Sequence, residues 1–249
     1  MTSGGTVAIL CGGRGTRLQE RTHAIPKALV EIGGMPILWH VVRIYAAQGF
    51  GRFLLLTGYL GEAIEEFVAA AAWPEPVEIE CLDTGPDTPT GGRISLAADH
   101  VGDGPFSLTY ADGIADIDLA ALGTFHRGHG GLATMTVVRP RTQFGVTQLG
   151  DDDRVLAFEE KPRLDQWVNG GFFVFEPGFL EYLGRASVLE NAPLRLAATE
   201  GELRAFRHSG FWDCMDTYKD AVTLNDLWMA GGAPWAVWDR SPAADAGAR

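Results

Sequence analysis

Short apolar runs alternate with amphipathic segments along the first half of the chain, and this alternation restricts the fold more than any single motif does. Val7 to Leu10 reads as a buried strand running into glycines. Pro36 to Ala47 then reads as a helix, with Pro36 near its start and Ile37, Leu38, Val41, Val42 and Tyr45 on one apolar face. RFLLLTG from Arg52 predicts a second strand, Gly61 to Ala72 a second helix and VEIECL a third strand, each separated by turn-forming residues. That order predicts an α/β fold whose largely parallel sheet is covered on both faces.

The second half is more mixed. PFSLTYADG brings a strand to an acidic turn, and DLAALGTFHRGHG has helical periodicity through Leu119, Leu122 and Phe125. LATMTVV is the next buried strand, FGVTQL and RVLAFEE pair across the polar turn GDDD, and GGFFVFE returns to the core. Asp116 and Asp118 are expected to start or cap the helix that begins near Leu119. Thr217 to Ala230 is expected to be helical, and SPAADAGAR has the composition of a frayed tail. The reading is one domain over residues 1–240, with a binding lobe fused to its core and a tail over 241–249.

Composition narrows the function classes. With 46% hydrophobic residues among 249, the chain can bury a substantial core. Its longest apolar runs are far too short to span a bilayer, and MTSGGTVAIL lacks the basic region and apolar stretch of a secretory signal, so a cytoplasmic, membrane-free protein is expected. Cys11, Cys81 and Cys214 cannot all pair within one chain and lack zinc-site spacing. A net charge of -12 without any lysine or arginine block makes duplex nucleic acid a poor partner, whereas a few local cations can still grip a small anion.

The loop CGGRGTRL raises that possibility directly. Gly12, Gly13 and Gly15 remove side chains where backbone amides can approach phosphate oxygens, and Arg17 supplies a forked, permanent cation. The spacing is neither G-x-G-x-x-G nor a P-loop, so the loop alone admits two readings, a phosphate cradle or a glycine turn. Asp112, at the end of FSLTYA, is locally either a solvated turn residue or a carboxylate at the sheet edge. Lys27 after Pro26 is either a surface lysine or a cation reaching a held phosphate. FEEKP followed by NGGFFVFEP is equally a charged turn entering a hairpin strand or a ligand contact.

The ordered set GGRGTRL, PKALVEIGGMPILWH, DTGPDTPTGGR, TYADGIADID, FEEKP, NGGFFVFEP and FWDCMDTYKD closely resembles the sugar-phosphate nucleotidyltransferases, and among them the glucose-1-phosphate cytidylyltransferases. The resemblance runs from residue 7 to residue 238. It implies a Rossmann-like α/β domain with a sugar-binding elaboration, which couples CTP and glucose 1-phosphate into CDP-glucose and pyrophosphate with Mg2+, in a homo-oligomer. It further implies that Gly12, Gly13, Thr16, Arg17 and Lys27 receive the nucleotide, with Thr90, Gly91 and Gly92 close to it. Asp112 and Asp216 correspond to the metal-binding pair, and Arg17 and Lys27 join them in the catalytic set. Lys161, Asn169, Gly170 and Trp212 fall to the sugar phosphate.

Several positions depart from that pattern. Ile25 stands where relatives commonly carry a lysine, Ala111 replaces the first glycine of a G-D-G motif, and Ala192 and Arg195 replace acidic positions near the retained Glu190. Trp212 also reads as a core anchor, and Trp228, Trp235 and Trp238 as core or interface. Transfer from CTP to another sugar phosphate or a phosphonate, uridylyl or thymidylyl transfer to glucose 1-phosphate, and a noncatalytic nucleotide-sugar-binding regulator are the alternatives.

Overall fold

In a computed structural model of the chain, residues 5–15, 25–74 and 76–239 are described. The strands are β1 (Val7–Leu10), β2 (Glu31–Ile32), β3 (Met35–Pro36), β4 (Arg52–Thr57), β5 (Glu78–Asp83), β6 (Phe106–Tyr110), β7 (Gly113–Ala115), β8 (Ala133–Val138), β9 (Val146–Leu149), β10 (Val155–Glu159), β11 (Val168–Phe175), β12 (Leu203–Arg207) and β13 (Trp212–Cys214). The helices are α1 (Ile37–Ala46), α2 (Gly61–Ala70), α3 (Thr90–Leu96), α4 (Leu119–His129), α5 (Ala192–Thr199) and α6 (Tyr218–Met229).

Seven strands form the main sheet in the order β12-β8-β11-β6-β1-β4-β5. β1, β4, β5 and β6 are mutually parallel, β11 runs antiparallel to both β6 and β8, and β12 is parallel to β8. One reversed strand therefore interrupts an otherwise parallel sheet, as the alternating pattern predicted. Successive residues of a strand face opposite sides. Val7, Ile9, Phe53 and Leu55 accordingly join one apolar layer with α1, while Ala8, Leu10, Leu54 and Leu56 join the other with Ile94 of α3 and Leu194 of α5. Burial on both faces explains the unbroken apolar runs in the sequence.

The pair β9–β10 stands apart as its own two-stranded arm. Asp118 caps α4 by accepting from the amide of Ala121 at 2.8 Å, but Asp116 does not. It faces His208 across 3.1 Å instead, because the 208–211 loop folds back onto it. Among the described residues no helix is long and apolar enough to cross a membrane.

An aromatic cluster ties the end of the described chain to α1. His40 meets Trp39, Trp228, Trp235 and Trp238, and Trp235 is fully buried, so core packing rather than an exposed interface accounts for it. The Trp235 indole N–H donates to His40 Nδ1 at 3.3 Å, and His40 Nε2 lies 2.9 Å from the Ile32 carbonyl. A neutral ring with its proton on Nε2 satisfies both contacts. Burial lowers the His40 pKa to about 4. The unfolded chain therefore binds the extra proton first, and stability falls as pH drops from the ordinary histidine value through about 4. Urea midpoints across this range should show a His40 share on the order of 3 kcal/mol, and the acid-side slope should shrink in His40→Gln.

Candidate active site

β1 is flanked by β4 on one side and by β6 on the other, so chain order reverses between β1 and β6. Ligands of open α/β sheets bind outside the carboxyl ends of strands at such a point. Here that position opens into a cavity of about 770 Å3, a volume within the usual range for small-molecule sites.

Gly12 lies just beyond β1, after Cys11. Its carbonyl accepts from the Tyr59 amide at 3.1 Å and from the Arg93 guanidinium at 2.9 Å. Arg93, only 4% exposed, also donates to the Thr57 carbonyl at 2.7 Å and to Thr84 Oγ1 at 2.5 Å. This fork fastens the ends of β1 and β4 and the start of the 84–89 loop to one point. A side chain at position 12 would collide with the guanidinium and with the Thr57 backbone, so glycine is required by close approach. Gly13, in contrast, faces open space and lines the cavity. Thr16 and Arg17 lie outside the described residues.

The floor is built from three distant parts of the chain. Pro26 is extended, and Lys27 begins the one-turn 3-10 helix Lys27–Leu29. Asp112 follows β6. The short ladder of β7 with β13 and the bond from the Met215 amide to the Asp112 carbonyl, at 2.9 Å, carry Asp216 opposite Asp112. Thr217 and Asp220 form a capping box on α6, and Asp220 also accepts from the Asp216 amide at 3.1 Å, which fixes that backbone.

Lys27 Nζ donates to Asp112 Oδ2 at 2.5 Å and to Asp216 Oδ1 at 2.6 Å. Burial works against the charge, but both carboxylates outweigh it and hold the ammonium above its ordinary pKa. Cys214 beside them is no nucleophile, because burial and then the negative charges of Asp112 and Asp216 push its thiol up to about 12. Among the described residues no three His, Cys, Asp or Glu side chains converge as a metal cage. Two facing carboxylates that already share one cation nevertheless suit a hard divalent ion completed by substrate phosphates and water.

A second wall comes from β11. Its register shifts between Asn169 and Phe173, with positive φ at Gly171 and Phe172. The fully buried Phe172 ring stacks on Tyr45 at 5.8 Å, and that packing holds the unusual backbone. The irregularity presents Asn169 and Gly170 to the cavity, and the Gly170 carbonyl accepts the Trp212 indole N–H at 2.7 Å. Tyr110, which the sequence reading missed, joins this wall. It donates to Glu190 at 2.6 Å and accepts from Asn169 at 3.2 Å, while Thr90 donates to the other oxygen of Glu190 at 2.7 Å. Its place at the end of β6, two residues before Asp112, was the available signal.

Not every expected residue reaches the cavity. Gly91 and Gly92 are buried in α3, where a side chain would strike the backbone of Ser187 and Arg185. Close helix packing accounts for these two glycines, and Thr90 and Arg93 are the α3 residues that line the site. Lys161 lines a neighbouring cavity on the other side of Trp212. Ala192 and Arg195 are exposed on α5 and line neither cavity. At Ala111 the amide donates to Leu10 O at 3.2 Å, so the β1–β6 pairing continues through the substituted position.

Comparison with known proteins agrees with this layout. A profile of the family described as nucleotidyl transferase matches residues 6–230. The chain belongs to that family. It is 42% identical to the probable glucose-1-phosphate cytidylyltransferase of Bacillus subtilis (strain 168), over 92% of this chain and 98% of that protein. The glucose-1-phosphate cytidylyltransferase of Salmonella typhi is 40% identical over 93% of this chain and 98% of its own length. In fold, the nucleotidyltransferase resembles a UDP-glucose pyrophosphorylase solved with UDP-glucose, with a TM-score of 0.71 at 15% identity, covering 92% of this chain and 99% of that one.

The Arg93 clamp generates a prediction of its own. Arg93→Met removes the fork's bonds to Gly12 O, Thr57 O and Thr84 Oγ1, although the Tyr59 and Thr84 amides still reach the two carbonyls, and should lower the urea-derived stability by about 1–2 kcal/mol. Arg93→Lys should recover less than half of that loss, because an ammonium lacks the planar fork.

Proposed function

We propose that the chain joins CTP to α-D-glucose 1-phosphate, with Mg2+, to give CDP-glucose and pyrophosphate. The observation that carries this reading is Lys27 between Asp112 and Asp216 on the floor of a cavity entered by the Gly12–Gly13 backbone. Relatives named for cytidylyl transfer to glucose 1-phosphate, at 40–42% identity over nearly their whole length, support the choice of base and acceptor.

In this reading an acceptor phosphate oxygen attacks the α-phosphorus in line while pyrophosphate departs on the opposite side, without a covalent enzyme intermediate. The amides of Gly12 and Gly13 and the Thr16–Arg17 segment receive the nucleotide phosphates. Lys27 stabilises the charge that grows on the reacting phosphoryl group. Asp112 and Asp216, with the substrate phosphates, would hold Mg2+, which supplies further charge neutralisation there. Asn169, Gly170 and the Trp212 face meet the sugar, and the Tyr110–Glu190–Thr90 bonds keep that wall rigid.

A nucleotide-by-acceptor matrix with pyrophosphate release and product mass measured together tests the assignment. The expected best pair is CTP with glucose 1-phosphate. Greater catalytic efficiency with another triphosphate would overturn the base, and CTP turnover with only another phosphorylated acceptor would overturn the sugar. Asp112→Asn, Asp216→Asn and Lys27→Met should each lower kcat by roughly 100-fold or more while remaining folded. Arg17→Lys should weaken productive CTP use by losing the fork.

The assembly is proposed to be a homo-oligomer closed through the β9–β10 arm. Every residue of both strands is exposed, and Phe144, Leu149, Leu156 and Phe158 stand 59–77% accessible. An isolated two-stranded hairpin is marginal in water, and an apolar surface of this kind is stabilised by cover from a second copy. Leu156→Glu with Phe158→Glu should reduce the mass measured by light scattering to that of one chain, and an unchanged mass would remove the arm from the interface.

A further inference from the structure

Strands β7 and β13 form a two-stranded ribbon outside the main sheet, and this ribbon sets Asp216 opposite Asp112. Its two sides are held unequally. Every residue of β7 is buried, whereas all three residues of β13 are only half-buried. A pair of strands this short is marginal in water, so the placement of β13 depends on what fastens its ends. At the floor end the Met215 amide donates to the Asp112 carbonyl, and at the far end the Asp116 amide donates to the Phe211 carbonyl at 3.2 Å.

His208 controls that far end. Its amide donates to the Val137 carbonyl at 3.0 Å and continues the β12–β8 pairing, so the main-sheet ladder runs through His208 before the chain crosses to the ribbon. Its ring then turns back onto the crossing. Nε2 lies 3.1 Å from Asp116 Oδ1 and 3.0 Å from the Phe211 carbonyl, and a proton on Nε2 serves both acceptors. The two side chains are only 10% and 21% exposed, which spares the contact the screening of an open surface pair. Burial works against charge on the ring, but the Asp116 carboxylate and the Phe211 carbonyl outweigh it and hold the imidazolium above its ordinary pKa. Gly210 closes the turn without a side chain, because a Cβ there would strike the Asp116 carboxylate and the His208 ring.

Neither His208 nor Asp116 lines the cavity above Lys27. Their effect on it runs through β13, whose register is fixed residue by residue from Phe211 opposite Asp116 to Met215 opposite Asp112. A slip or tilt at one end therefore reappears at the other as a change in the separation of the two floor carboxylates. Trp212, the first residue of β13, would move with it and disturb its indole bond to Gly170. The flexible stem of Lys27 can follow a small displacement, whereas a small octahedral cation demands near-ideal geometry.

We propose that His208 and Asp116 form a clasp that positions the active site from outside it. By fixing the crossing from β12 to β13, the clasp sets the separation of Asp112 and Asp216 and with it the fit of the divalent ion. His208 is thus a positioning residue that acts through β13. The proposal deepens the transfer reading and rests on it where Mg2+ is concerned, whereas the rigidity of the ribbon is measured with neither metal nor substrate present.

Two measurements on the full chain test the clasp. Hydrogen exchange in EDTA, read by mass spectrometry, should show residues 211–216 exchanging about 10-fold faster or more in His208→Ala and Asp116→Asn, with β4 unchanged. Mg2+ titration of pyrophosphate release at saturating CTP and glucose 1-phosphate should show the half-saturating Mg2+ raised about 10-fold and kcat partly restored at high Mg2+. KM for CTP should stay within about twofold, because Arg93 holds the Gly12 turn independently. His208→Gln, which keeps a donor near the place of Nε2, should recover part of both effects. Gly210→Ala should reproduce them with both partners retained, by displacing the Asp116 carboxylate, and keeps the test decisive if the other variants fail to fold. His40→Gln is the stability control, since a variant weakened elsewhere should leave the Mg2+ midpoint in place. Unchanged exchange and Mg2+ midpoint in folded His208→Ala or Gly210→Ala, or a midpoint shift no larger than that of His40→Gln, would overturn the clasp. An unaltered chain that fails to turn over this substrate pair would overturn the transfer reading alone, and the exchange result would then decide the clasp.

Discussion

The ammonium of Lys27 lies between Asp112 and Asp216, and without it two carboxylates would face each other across a partly buried floor. Their repulsion would push the segments apart. The cation removes that conflict at the expense of its own desolvation, and breaking such a group by losing one member costs far more than forming it gains. Lys27 is therefore a structural tie as well as the group proposed to handle phosphoryl charge. Its three members come from the segment before α1, the end of β6 and the entrance to α6, so the same contact joins the two halves of the chain.

Arg93 plays the corresponding part beside the Gly12 turn. A buried guanidinium saturated by backbone carbonyls and Thr84 keeps the Gly12 turn from drifting while leaving Gly13 open to the cavity. Electrostatic stabilisation depends on donors that need not reorganise as charge develops. Lys27 and Arg93 provide that rigidity from opposite sides of the β1–β6 crevice.

The parts of this arrangement that were legible in the sequence are those with local periodicity. VAIL, RFLLLTG and FSLTY announced buried parallel strands because both of their faces are covered, and the motif order from Gly12 to Asp216 pointed to phosphate chemistry. Less legible were elements made by distant pairing. The three-residue strands β7 and β13 have no period to detect, yet they bring Asp216 to Asp112. Tyr110 and Glu190 are 80 residues apart, and nothing local marks them as partners. Nothing local in TGGR marks Arg93 as buried, and only the structure shows the carbonyls that enclose it. Gly91 and Gly92 show the converse, since small residues packed closely inside a helix carry the same local signature as those that approach a ligand.

The floor and the rim of the site are held very differently. Buried contacts at Lys27 and Arg93 leave little freedom beneath the substrate. Above it, the loop from Pro86 to Thr90 is tied to the glycine turn by Arg14 and Asp87, at 2.8 Å but with side chains 51% and 77% exposed. A pair so open to water is screened and restrains little. The rim can therefore change its contacts without disturbing the charged floor. Ala192 and Arg195 lie outside the cavity, while Glu190 remains bonded to Tyr110 and Thr90, so these two departures leave the inner wall unaltered. Variation on this scaffold thus falls most cheaply on rim loops and on the outer face of α5, where no buried charge has to be matched again.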